Sequence, residues 1–279
     1  MKMLNLTRPS FSSDNTLNLH APSSWKELTQ EQLIYLLKLL VRFNNPIRLR
    51  NFLGHRSTPY HAGFVIKTHL FTRFTGLHIA RRTEDGYLCW IRKNWFSRRS
   101  FLLQAWQVHD CLSQFEFVDH LEEMDGRLDA VGGLKAVNAR LHGVSFGEYL
   151  SMEKYYQAFL MSENPDMLVK LALLLYRKRN GSMAEKIRMK DYESLGVFLW
   201  YGAIKENFSR SFRHFFKKVE GGIVEEFDFL SSMNCQIRAL TDGDVTKEEE
   251  ILSTDCWRAL TELNEKAREA AEFKKKYGS

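Results

Sequence analysis

Gly143-Val144-Ser145-Phe146-Gly147 matches the G-x-S-x-G pattern of a hydrolase elbow, in which a serine held on a strained strand-to-helix turn attacks a carbonyl. That chemistry needs a buried strand before the serine and a parallel sheet around it, and the preceding GGLKAVNARLH does not read as such a strand. His214 is an available base, but no acid partner can be named for it. Ser145 also stands three residues before Glu148, with Val144 and Tyr149 on either side, which is the capping box and hydrophobic staple of a helix start. The helix cap is the preferred reading.

Three other groups of residues could ligate or transfer protons. Glu116, His120 and Glu123 would share one face if their segment were helical, but a carboxylate-bridged metal pair needs a second Glu-x-x-His copy and none is present. His55, His61, His69 and His78 lack the spacing of a zinc-binding helix and read as surface or interface histidines. TDGDVTKEEEIL, residues 241–252, crowds acids together but departs from the ligand spacing of a calcium loop. Thr246 and Glu249 make a further capping box there, and acids in a first turn meet the positive end of the helix dipole. Cys89, Cys111, Cys235 and Cys256 are widely spaced and read as reduced thiols, and neither a phosphate-binding loop nor a dinucleotide fingerprint occurs. No metal site, no cofactor and no catalytic residue is expected.

Charge is the stronger signal. The chain of 279 residues has a formal net charge of +6, yet residues 42–100 hold twelve Arg and Lys against Glu84 and Asp85, a net of +10. The remainder is therefore mildly acidic. Arginines interleaved with Phe43, Phe52, Tyr60, Phe64, Phe71, Phe74, Trp90, Trp95 and Phe96 are what phosphate neutralisation plus base stacking would use. The candidate nucleic-acid-binding set is Arg81, Arg82, Trp90, Arg92, Lys93, Arg98 and Arg99. The plainer alternative is a cationic surface that meets the acidic part of the chain or an acidic protein partner, with the aromatics in a core.

The elements that would position these residues follow from pattern. Residues 1–23 read as a flexible leader. LTQEQLIYLLKLLVRF opens with Thr29 and Gln32 as a capping box and turns Leu33, Leu36, Leu37 and Leu40 to one side. Short helical pieces are expected around IRLRNFLG and GFVIKTHLFTRF. Asp85-Gly86 between two extended runs predicts a hairpin, with Thr83 facing Leu88 and Arg81 facing Trp90 in a cation–π contact. SRRSFLLQAWQVHDCLSQF reads as a helix. Residues 118–144, poor in large apolar side chains and glycine-containing, read as a connection between a basic lobe at 24–117 and a helical lobe at 145–279. In the second lobe, Asn164 and Pro165 start a helix that RKRNG closes, DYESLGVFLWYGAIKENFSRSFRHFF forms another that ends at Gly221 and Gly222, and a last helix runs from the acidic cap to KKKYG. The expected fold class is mainly α, a multi-helix protein with a small β-hairpin in the N-terminal half. No apolar run is long enough to cross a bilayer.

YLSMEKYYQAFLMSENPDMLVKLALLLYRKR and MNCQIRALTDGDVTKEEEILSTDCWRALTELNEKAREAAEFKKKYG resemble a family of proteins encoded in the structural-gene clusters of bacteriophages and prophages. The matching signatures are Tyr155-Tyr156, Leu174-Leu175-Tyr176, RALTDGDVTKEEEIL and WRALTEL, together with the opening SSWKELTQEQL; the basic region is not covered. The resemblance implies a non-enzymatic virion-assembly role, such as a tail-assembly chaperone or minor virion component. Its partners would be phage structural or assembly proteins, and its place the host cytoplasm or the virion. Repeated helices with large aromatic faces suit a protein that binds proteins.

Overall fold

The computed structural model describes residues 2–7, 16–43, 60–92, 97–124, 126–216 and 229–277, and the chain divides into two compact units, Met1–Gly126 and Arg127–Ser279. The fold is mainly α, with small antiparallel sheets in both units.

In the N-terminal unit, strands β1 (Lys2–Thr7) and β2 (Thr16–Ala21) pair antiparallel, and Leu19 and Ala21 at the end of β2 are buried. The segment read as a leader thus carries a hairpin anchored to the core. Helix α1 (Gln30–Phe43) starts as its pattern predicts: Thr29 N–H donates to Gln32 Oε1 at 2.9 Å and Gln32 N–H to Thr29 Oγ1 at 3.3 Å. Its leucine face, Leu33, Leu36, Leu37 and Leu40, is buried with Leu39. Helix α2 (Tyr60–Thr75) packs against α1 and β2 and buries Ile66, Leu70 and Phe71. The helical piece expected at IRLRNFLG lies outside the described residues.

The expected hairpin is two strands of a three-stranded antiparallel sheet: β3 (Leu77–Thr83), β4 (Gly86–Arg92) in the centre and β5 (Arg98–Leu103). Residues 98–103 were expected in a helix. Helix α3 (Ala105–Ser113) begins only after Gln104, whose N–H donates to the Gln107 Oε1 atom at 3.0 Å. Phe101-Leu102-Leu103 reads equally well as helix or strand when taken alone, and the pairing with β4 decides for strand. Leu77, Cys89, Phe101 and Leu103 lie in the core of this unit with Val108, Cys111 and Leu112 of α3.

In the C-terminal unit the stretch read as the second half of a connection is built into the fold. Strands β6 (Ala130–Val131) and β7 (Leu134–Ala136) form a hairpin across Gly132-Gly133, and β8 (Tyr176–Arg177) adds a third strand. Both turn glycines have positive φ, +55° and +83°, the backbone a two-residue hairpin turn demands. Leu128, Val131, Leu141 and Val144 are buried. The Trp200 and Trp257 indoles donate to the Ala139 and Arg140 carbonyls at 3.2 and 2.5 Å.

Helices α4 (Phe146–Ser162) and α5 (Pro165–Leu175) form the expected αα-hairpin, with Asn164 Oδ1 accepting from Asp166 N at 3.0 Å. RKRNG does not close α5, which stops at Leu175 because Tyr176 and Arg177 enter β8. Helix α6 (Asp191–Ser211) buries Val197, Tyr201, Ile204 and Phe208 as its spacing predicts and ends before the expected glycines, which lie outside the described residues. Helix α7 (Phe229–Thr241) precedes the acidic stretch. The last helix is not continuous: α8 (Glu248–Ser253) stops, and α9 (Cys256–Tyr277) restarts after Asp255. The Asp255 carboxylate accounts for the break. One oxygen accepts from Trp257 N at 2.9 Å at the start of α9, and the other accepts from Gly143 N at 2.6 Å.

Candidate functional site

The polar clusters that suggested chemistry have structural partners. Ser145 Oγ accepts from Glu148 N at 3.3 Å and Glu148 Oε2 accepts from Ser145 N at 3.1 Å, so the serine caps α4, as expected, and the sheets formed by the described residues are antiparallel. Glu116, His120 and Glu123 do not share a helical face, because residues 116–119 and 121–123 are two separate 3-10 turns. His120 Nδ1 lies 3.4 Å from Glu122, and among the described residues no group of His, Cys, Asp and Glu is arranged to hold a metal ion.

The acidic stretch is a helix start, but its cap is Asp244 and not Thr246. Asp244 Oδ1 accepts from Thr246 N at 3.0 Å and opens a 3-10 turn, Val245–Lys247, that leads into α8. Asp244 stands two residues before Thr246, and its carboxylate takes the amide that opens the turn. Hydrogen bonds from Thr246 hold the Asp244 carboxyl below its ordinary value, and the Lys266 ammonium at 2.5 Å does the same for Asp242.

A cavity of about 440 Å³ in the C-terminal unit lies beside Tyr156, Lys205, Glu206 and Ser209. Its charge is already matched. Glu153 accepts from Lys205, from Gln157 Nε2 at 2.7 Å and from the Tyr201 hydroxyl at 3.3 Å. Burial, reinforced by the Glu153 charge, pushes the Tyr149, Tyr156 and Tyr201 phenols up, so they act here as neutral donors and packing groups.

The sheet of the N-terminal unit differs. Its register is not the expected one. Glu84 and Asp85 form the two-residue loop, Thr83 pairs with Gly86, and Arg81 pairs with Leu88 and not with Trp90. Gly86 is required for contact, since a Cβ there would sit 2.2 Å from the Leu103 carbonyl oxygen of β5. A bulge at Ala80 then shifts the pairing once more, so that His78 is opposite Trp90. Ile79, Cys89 and Phe101 face the core, and the alternate positions His78, Arg81, Leu88, Trp90, Arg92, Arg98 and Ser100 share the other side.

Around Trp90 the cation–π contact expected from Arg81 is made by Arg98. Its guanidinium carbon lies 4.4 Å from the indole centroid, and the His78 ring stacks on the same indole at 4.0 Å with 12° between planes. Spacing alone does not reveal His78 as part of this group, because its place opposite Trp90 depends on the bulge. Arg92 and Arg98 are direct register partners, which brings two cations to one place on the face. Arg81, Arg82, Arg98 and Arg99 are exposed and none forms an ion pair among the described residues. Of the expected set, the sheet therefore brings Arg81, Trp90, Arg92 and Arg98 to one face. Arg82 and Arg99 sit at adjacent positions of the two edge strands, and Lys93 lies outside the described residues. Comparison of the chain with protein-family models, with curated proteins and with solved structures finds no match.

Proposed function

We propose that this protein acts by binding, and that its N-terminal unit binds nucleic acid through the arginine-bearing face of the three-stranded sheet. The observation that carries the reading is a set of four exposed arginines without acid partners among the described residues, Arg81 and Arg98 on the open face of the sheet and Arg82 and Arg99 at the next positions of its two edge strands. Counterion release from phosphates is the energy source such a surface can tap. A mobility-shift or anisotropy titration with an oligonucleotide should show binding at low salt that weakens on the order of a hundredfold between about 50 and 200 mM salt if four phosphates are neutralised. Changing Arg81, Arg82, Arg98 and Arg99 together to Gln should abolish it. The absence of any shift at low salt would refute the reading.

A second reading, protein binding in phage or prophage assembly, draws on the resemblance of the C-terminal unit and on the end of α9. Cys256, Leu263, Ala270 and Tyr277 recur every seventh residue along this helix; Cys256 and Leu263 are buried, whereas Tyr277 and the neighbouring Phe273 are 63% and 67% exposed. Lys274, Lys275 and Lys276 flank the exposed end. An assembly protein presenting an acidic amphipathic helix would continue the stripe and meet those lysines.

A further inference from the structure

We infer that the N-terminal sheet recognises nucleic acid through its phosphates alone, with Trp90 acting as a positioning residue for Arg98 and not as a stacking platform for a base. The inference rests on the nucleic-acid reading above and specifies how that surface works. A base-stacking site needs an aromatic face open to solvent. Trp90 has none to offer, because β3 and β5 lie on opposite sides of β4 and each supplies a cover: His78 at 4.0 Å and nearly parallel, and Arg98 at 4.4 Å. A base could reach the indole only by displacing one of them. Displacing Arg98 would remove one of the cations that draw the strand to the surface.

The same stack explains how a long, flexible side chain becomes a fixed charge. Arginine otherwise surrenders much rotamer freedom on binding a phosphate, and a guanidinium already laid against an indole has surrendered part of it. Held there, Arg98 keeps its hydrogen-bonding edge available for the paired phosphate oxygens it fits. Arg92, its register partner, brings a second cation to the same spot, and Arg81 is turned to the same face by the bulge at Ala80. The other aliphatic positions on this face, Leu88 and Leu102, present no aromatic ring. Among the described residues of this face there are cations for a backbone and no free plane for a base.

The test compares the full chain binding two labelled strands of about twenty nucleotides, one of deoxythymidine and one abasic along its whole length, by fluorescence anisotropy across a salt series. Dissociation constants within about threefold of each other and equal log–log salt slopes are expected, since the phosphates are the same. Arg98→Gln should lower the slope by about one for both strands. Trp90→Phe, which keeps a planar support, should stay within about threefold of the parent on both strands, whereas Trp90→Ala should weaken both equally with the slope unchanged. A deoxythymidine strand bound more than about tenfold tighter than the abasic one would overturn the inference and leave the nucleic-acid reading standing. Binding of neither strand at low salt would overturn both. Displacement by polyglutamate as effective, charge for charge, as by the abasic strand would assign the surface to an acidic protein instead. If circular dichroism shows Trp90→Ala to be unfolded, the strand comparison on the parent and on Trp90→Phe decides the matter.

Discussion

Burial sets the ionisation of the thiols and phenols. Cys89 is pushed up to about 11 and Cys111 and Cys256 to about 12, while Tyr149 and Tyr201 lie well above the ordinary tyrosine value. In the unfolded chain these groups titrate near about 8.5 for a thiol and about 10 for a phenol. At pH values between the two, the folded state holds protons that the unfolded state releases. Stability is therefore fully present below about pH 8 and is lost as pH rises toward the folded values. The urea midpoint should be level from about pH 7 to 8 and fall steadily from about pH 9 to 11; a midpoint unchanged at pH 11 would contradict the burial of these groups. Local chemistry was legible here from sequence: the caps at Ser145 and Asn164 depend on residues two or three positions away, and the structure places them as expected. The His78–Trp90–Arg98 stack was not legible, because its members meet only after the register of two strand pairs is known.

At the scale of elements, close approach is what the N-terminal sheet enforces most strongly. Gly86, with φ of +145° and Leu103 oxygen 2.2 Å from where a Cβ would stand, cannot accept a side chain without moving β4 from β5. Gly86→Ala should destabilise the protein by at least about 2 kcal/mol, read from the denaturation midpoint. An unchanged midpoint would mean that the two strands are less tightly held than their register implies. The same glycine misled the sequence reading, since Asp-Gly is the strongest cue for a turn centre and the structure uses the glycine one position later, for contact. The hairpin across Gly132-Gly133 carries a comparable cue but is not legible as strands, because these are only two and three residues long and show no alternation. The break at Asp255 was hidden for a different reason: helical spacing runs through it unbroken, and only the tie from Asp255 to Gly143 interrupts the backbone.

For the whole molecule, the helical dominance and the uneven charge were both readable from composition and periodicity. The boundary between units was legible in its place but not in its character. Poverty in large apolar residues suggested a connection at 118–144, and the chain divides within that stretch, after Gly126, yet most of the large apolar residues there, Val118, Leu121, Met124, Leu128, Val131, Leu141 and Val144, are buried. The assembly reading makes its prediction at this scale. Affinity capture with the full chain from an induced or infected cell should recover virion structural or assembly proteins, and replacing Phe273 and Tyr277 together with Ala should reduce that recovery at least about tenfold, as expected for two central aromatic contacts. Recovery of no virion protein would count against it.

The bulge at Ala80 has one more effect. In a sheet, a slip of one residue exchanges inner and outer side chains along the whole strand. Each edge strand of this sheet carries an arginine doublet, Arg81-Arg82 on one and Arg98-Arg99 on the other. Loss of the bulge, with Ala80 drawn into the ladder opposite Leu88, would turn Arg81 inward and Arg82 outward, and the surface would still show a cation in that row. The doublets make the charge of this face redundant against slippage, so an insertion or deletion beside the hairpin that would scramble an ordinary binding surface leaves this one positive.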